Sequence, residues 1–120
     1  MTITSVYNFP NGQIITVTID QSGNTKSEAI TTNGMLLTHI IPGATWDAAS
    51  ITFEQSADGT NFYTTKDDAG TTYTVTIAAS QVITIPASKL IGGARQFKVV
   101  ASAAQNTSTP RTISLILRYV

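Results

Sequence analysis

Apolar and polar positions alternate along most of this chain with a period of two, and helical periodicity is nearly absent. Residues 13–20 place Ile15, Val17 and Ile19 on one face and Thr16 and Thr18 on the other. Turn signals flank them, Asn11-Gly12 before and residues 21–24 (Gln-Ser-Gly-Asn) after. Residues 24–34 are rich in Thr, Ser and Asn and read as a loop with a short strand; residues 35–41 read as a strand stopped by Pro42-Gly43. A strand at 51–55 points Ile51 and Phe53 inward. Asp58-Gly59 turns the chain into 61–65, and Asp68-Ala69-Gly70 turns it again into 71–77, where Tyr73, Val75 and Ile77 oppose Thr72, Thr74 and Thr76. Residues 46–76 therefore predict three strands joined by two tight turns.

Beyond them, a strand at 82–85 ends at Pro86. Gly92-Gly93 introduces 95–101, with Phe97 and Val99 facing one way and Gln96 and Lys98 the other. Residues 101–110 read as an exposed loop. The last run, 111–120, alternates Ile113, Leu115, Leu117 and Tyr119 with Thr112, Ser114 and Arg118. Short helical turns fit at 45–49 or 87–90. About eight strands at this spacing predict an all-β fold, an antiparallel β-sandwich or jelly roll forming a single domain over residues 1–120. Its last strand is expected to be paired inside a sheet.

Composition narrows what such a fold can do. A chain of 120 residues builds one hydrophobic core, and with no cysteine it has neither disulfide framework nor thiolate metal site. Charged residues are 12% of the chain, against about 25% in a typical domain. Thr, Ser, Asn and Gln must then supply the polar surface, which tolerates close packing against other chains. The formal net charge of zero argues against a nucleic-acid binder that works by phosphate neutralisation. The N-terminal residues lack the basic and apolar regions of a signal peptide. The longest apolar run, 35–41, is interrupted by Thr38 and His39, so no membrane span is expected and the chain reads as soluble.

Charge is unevenly distributed along the sequence. All seven acidic residues fall within the first 68 positions, and five of the seven basic ones (Lys89, Arg95, Lys98, Arg111, Arg118) follow. Either the subunit is dipolar, or strands from the two halves interleave and cancel the asymmetry.

Candidate chemistry is sparse. Triad catalysis needs an oriented base, and the lone histidine, His39, sits within an apolar strand, where it reads as a packed strand residue. Neither a catalytic constellation nor a cofactor fingerprint is expected, and a transition-metal site lacks ligands. Asp67-Asp68, with Asp58 and Glu54, has the oxygen ligands calcium takes, yet turns need Asp and Gly at the same places. Trp46, Phe62, Tyr63 and Tyr73 could line a sugar-stacking platform or simply pack. Asn106-Thr107-Ser108 matches a glycosylation sequon and reads as loop chemistry.

The segment W-x4-I-T-F-E-Q-S-A-D-G-T-N-F-Y, then D-D-A-G, then G-G-A-R-Q-F-K-V-V resembles two patterns across residues 46–100. One is the galactose-binding-like (discoidin-type) jelly roll, although the chain is short for it and has no cysteine pair joining its ends. The other, closer in length and Thr-rich texture, is the group of small β-sandwich virion proteins of tailed bacteriophages, including capsid decoration (cement) proteins and head or tail accessory proteins. The resemblance implies a virion subunit assembled in the host cytoplasm. Its partners would be the major capsid protein or other virion proteins and copies of itself, often as a trimer, with neither nucleic acid nor membrane involved. It also implies a non-enzymatic role without cofactor or metal. Trp46, Phe62, Tyr63, Arg95 and Lys98 mark the expected interaction surface. A carbohydrate-binding module or a tail or fibre accessory protein is the alternative.

Overall fold

The computed structural model describes residues 2–19, 25–47, 50–89, 91, 94–102 and 111–119, and among these there are ten strands and a single 3-10 turn at Ala87–Lys89. The strands are β1 (Thr2–Phe9), β2 (Gly12–Ile19), β3 (Ile30–Thr31), β4 (Leu36–Pro42), β5 (Ser50–Ser56), β6 (Tyr63–Thr64), β7 (Thr74–Thr76), β8 (Ile83–Thr84), β9 (Gln96–Ala101) and β10 (Arg111–Arg118). They form two antiparallel sheets. One runs β1-β2-β10-β4-β8; the other runs β3-β9-β5-β6, with β7 also paired to β5. The chain is thus the all-β sandwich its alternation predicts, with ten strands in place of about eight.

Alternation fixes the inward faces. Along β10, Ile113, Leu115 and Leu117 are fully buried while Thr112, Ser114 and Ile116 are half-buried. They share one core with Ile15, Val17, Leu37 and Ile40 of the same sheet and with Ile51, Phe53, Phe97 and Val99 of the other. Each such side chain contributes about 1.5–3 kcal/mol through its burial. Phe53 is the aromatic centre, with ring centroids 5.8 Å from Tyr73 and 6.3 Å from Phe97. β10 lies between β2 and β4, as a late, strongly alternating strand should. The alternation stops at Arg118; Tyr119 lies past the strand and is exposed.

Strands from the two halves of the chain interleave, with β10 between β2 and β4 and β9 between β3 and β5. The charge asymmetry along the sequence is thereby reduced in space. Arg111 Nε donates to Asp47 Oδ2 at 2.9 Å, and Lys98 on β9 stands opposite Glu54 on β5. Glu54 also accepts from Lys26 Nζ at 2.7 Å.

Two features differ from expectation. β1 is a strand of eight residues that the pattern does not announce. In addition, residues 46–76 are not three strands side by side. β6 pairs with Glu54 and Gln55 of β5, and β7 pairs with Ser50, Ile51 and Thr52 of the same strand. They are therefore two pieces of one interrupted strand. Residues 66–72 loop out between them, closed by the Lys66–Thr72 bridge and by the Asp67 N–H donating to the Thr71 carbonyl at 2.9 Å. A period of two assigns faces but not neighbours, so it cannot tell a meander from an excursion that returns to the same partner.

Of the two helical turns expected, the one at 87–90 is present over Ala87–Lys89. The Gln-Ser-Gly-Asn turn, Gly92-Gly93, part of the 45–49 turn and most of the 101–110 loop with its sequon lie outside the described residues.

Candidate interaction surface

Three of the five residues marked by sequence for an interaction surface, Phe62, Arg95 and Lys98, gather around the β5–β6 loop. Residues 56 and 96 pair where β5 ends and β9 begins, and β6 pairs along the other side of β5. This register brings Lys98 Nζ to 4.3 Å above the Phe62 ring, a contact worth about 0.5–1 kcal/mol at an exposed site. Arg95 reaches across to the Asp58 carbonyl, donating from Nη1 at 3.4 Å. Tyr63 pairs with Gln55 and not with Glu54, so it lies on the opposite face of the sheet from Lys98, with 71% of its surface exposed. Trp46 does not join them. It is 5% exposed within the core, and its indole Nε1 makes no hydrogen bond. It is therefore removed from the expected surface and from any sugar platform.

The loop that carries this patch is rigid for a local reason. Thr60 and Asn61 N–H donate to Asp58 Oδ1 at 2.8 Å each, Asn61 Nδ2 donates to Oδ2 at 2.8 Å, and Ser56 Oγ donates to Oδ1 at 2.9 Å. Gly59, at φ +81°, closes the turn by donating its N–H to Ser56 Oγ. The backbone donors of Asn61 and Thr60, then the Asn61 and Ser56 side chains, hold the Asp58 carboxyl well below the usual carboxylate range. A lowered folded pKa stabilises above the unfolded value near about 3.9 and is lost as pH falls through that value toward the folded one. Asp58→Asn is thus expected to lower the urea midpoint at neutral pH, with the gap to the parent closing below about pH 4. A gap of equal size at both pH values would show that the charge is not what the turn uses.

Asp67 likewise caps its own loop, its Oδ1 accepting from Ala69 and Thr71 N–H at 2.9 Å each. With Glu54 bound to Lys26, three of the four acids considered for calcium, Glu54, Asp58 and Asp67, stand in separate local networks. Among the described residues no three His, Asp or Glu side chains gather. His39 is half-buried in β4, between Thr84 and Ile116, with Nδ1 2.9 Å from Thr38 Oγ1.

A cleft of about 880 Å³ opens between the 66–72 loop and the segment after β8, lined by Gln55, Lys66, Asp68, Tyr73, Lys89 and Ile91 among others. Tyr73 is half-buried, Lys89 Nζ lies 5.9 Å from its ring centroid, and burial pushes its phenol up. Mixed donors and acceptors suit a neutral polar ligand.

The second exposed surface is β1. Its residues Thr2–Phe9 carry no charge. Thr4, Ser5, Val6, Tyr7 and Asn8 are all exposed, although Val6 shares a face with buried Ile15 across the β1–β2 register. Val6 is 53% exposed and Tyr7 62%. The hairpin that holds β1 is well made: Pro10 presets the turn and Asn11 adopts φ +65°, the combination a type II turn takes. That signal was legible, since Pro-Asn-Gly stands between two β-rich runs; what hid β1 was its lack of cover. No protein-family model matches the chain, and no curated protein and no solved structure matches it.

Proposed function

We propose that this chain is a bacteriophage virion structural protein of the capsid decoration (cement) type, which binds the capsid lattice and copies of itself. Two things support the reading: the sequence resemblance across residues 46–100 and the surface of the sandwich. The observation that carries it is β1, an uncharged strand at a free sheet edge among the described residues, with Thr4 to Asn8 exposed on both faces. Such an edge is a template for another chain, and monomeric proteins guard against it with charge, proline or brevity. The interlocked Phe62, Arg95 and Lys98 patch offers a second, basic contact for an acidic lattice face. A trimer at three-fold positions is the assembly the resemblance implies. The alternative, a carbohydrate-binding module or a tail or fibre accessory protein, keeps the Tyr73 cleft as its support, now without Trp46.

The test is co-sedimentation of the purified protein with capsids that lack it, together with the melting temperature of those capsids. A decoration protein enters the particle fraction and raises the melting temperature, because a partner bound only to the assembled shell stabilises it by mass action. Protein that stays in the supernatant at saturating concentration would sink the reading.

A further inference from the structure

We infer that two copies of this chain join edge to edge, β1 pairing antiparallel with β1 about a two-fold axis at Tyr7. The inference rests on the self-association in the reading above, sets a two-fold pair in place of the trimer that the resemblance implies, and names the surface, the partner and the symmetry.

The other sheet edges among the described residues are guarded. β8 is two residues long, and Pro86 stands two positions past its last residue. β3 is two residues long, and the segment leading to it carries Lys26 and Glu28. β6 and β7, the two pieces along the outer side of β5, are two and three residues long, with Lys66-Asp67-Asp68 in the loop between them. Shortness, charge and proline are the devices that blunt an edge. β1 has a different one: an irregularity between Ile3 and Ser5 that breaks its register with β2. It leaves Ser5 to Phe9 as a regular edge.

A strand of that length can pair all of its outward main-chain groups with another chain only where that chain offers a strand of similar length. Against β3, β6, β7 or β8 of another copy it would pair over two or three residues and leave the rest unpaired. Pairing with β1 of a second copy matches the full stretch. Charge agrees, because two uncharged strands do not repel, while a charged partner segment would find nothing to complement it. An isologous contact of this kind closes at two copies.

The register follows from the hairpin. Phe9 and Gly12 flank a two-residue loop and form the first cross-strand pair. In such a hairpin that pair exchanges hydrogen bonds, and the alternation then turns the main-chain groups of Val6 and Asn8 to the free edge. Antiparallel pairing through them sets Val6 opposite Asn8 of the second copy and Tyr7 opposite Tyr7. Two exposed tyrosines then cover each other, and each Val6 gains a neighbour at the open rim of the core.

The chain has no cysteine, so a single introduced thiol reports on this geometry alone. A non-hydrogen-bonded antiparallel pair sets its Cα atoms about 4.5 Å apart, within the roughly 4.4–6.8 Å that a disulfide spans. Under mild oxidation Tyr7→Cys is expected to give a disulfide-linked dimer, while Tyr63→Cys, equally exposed on the other sheet, stays uncrosslinked at the same concentration. Light scattering of the unmodified protein is expected to give twice the chain mass, and Val6→Lys to return it to one chain mass with an unchanged circular dichroism spectrum. A monomer or a trimer by light scattering overturns the inference, as does equal crosslinking of the two cysteine variants. These readouts use purified protein without capsids. A monomer that still enters the particle fraction overturns this inference alone, and a dimer that never does overturns the decoration reading alone.

Discussion

Phe53→Ala is expected to lower the free energy of unfolding by about 3–5 kcal/mol, as deletion of a fully buried aromatic side chain does. A domain of this size has about 5–15 kcal/mol in total, so the variant should sit near its unfolding transition. Phe53 has no exposed surface and lies at the middle of β5, the strand that pairs with β9 on one side and with β6 and β7 on the other. Its ring meets Tyr73 at a 45° tilt and Phe97 edge-on, so its loss opens a void between β5, β9 and the residue leading into β7, all pinned by backbone hydrogen bonds. Little collapse can fill it. Urea denaturation gives the measurement, with the midpoint falling and the slope unchanged. Tyr63→Ala, exposed on the neighbouring strand, is the comparison and should stay within about 0.5 kcal/mol of the parent. Equal midpoints for the two variants would contradict the place given to Phe53.

The same residue shows what the sequence makes legible. Ile51 and Phe53 alternate with Thr52 and Glu54 between good turn signals, and burial follows that alternation residue by residue. β10 is read as easily, since Ile113, Leu115 and Leu117 leave one choice of face. Period-two patterning is a record of one-sided burial, so it succeeds where a strand has one covered side. It fails at β1, where Thr4 through Asn8 are exposed whichever way they point. It fails differently at β6, to which it assigns no face, and at β7, whose faces are assigned correctly; that both pair with β5 is a matter of three-dimensional return.

The surface was legible only in part, for a related reason. Phe62 and Lys98 are far apart in sequence, and they meet because β5 pairs with β9 and with β6, which begins just after Phe62; no local pattern encodes that. Trp46 carries the opposite lesson. A single indole beside a strand suits a rim or a core equally by chemistry, and only the packing of the two sheets places it inside. Asp58 was the most readable site residue, because the Ser-x-Asp-Gly turn needs its carboxylate as an acceptor wherever the loop points.

Gly12→Ala is expected to cost about 1–3 kcal/mol, the range for forcing atoms into a filled site, and to weaken the hold of β1 on the sandwich. A Cβ at Gly12 would stand 2.5 Å from the Leu117 carbonyl oxygen and 2.6 Å from Phe9 Cζ. The two obstacles differ in kind. The Phe9 ring can swing aside, giving up the Arg118 guanidinium 5.0 Å from its centroid. The Leu117 carbonyl cannot, since Leu117 is fully buried in a strand paired on both sides. Relief must come from β2 moving away from β10 at the hairpin end, where Gly12 pairs with Arg118 and Gln13 with Leu117. Because β1 is attached to the sheet through β2 alone, it moves too. Denaturation midpoints of Gly12→Ala, Phe9→Ala and the double variant separate the contributions. If the main-chain contact dominates, removing the ring recovers only a minor share of the loss caused by the added methyl group. Hydrogen exchange should quicken across residues 5–9 and 12–16 in the single variant. Full recovery in the double variant would move the constraint from the Leu117 carbonyl to the Phe9 ring, and β1 would then be held by its own side chain.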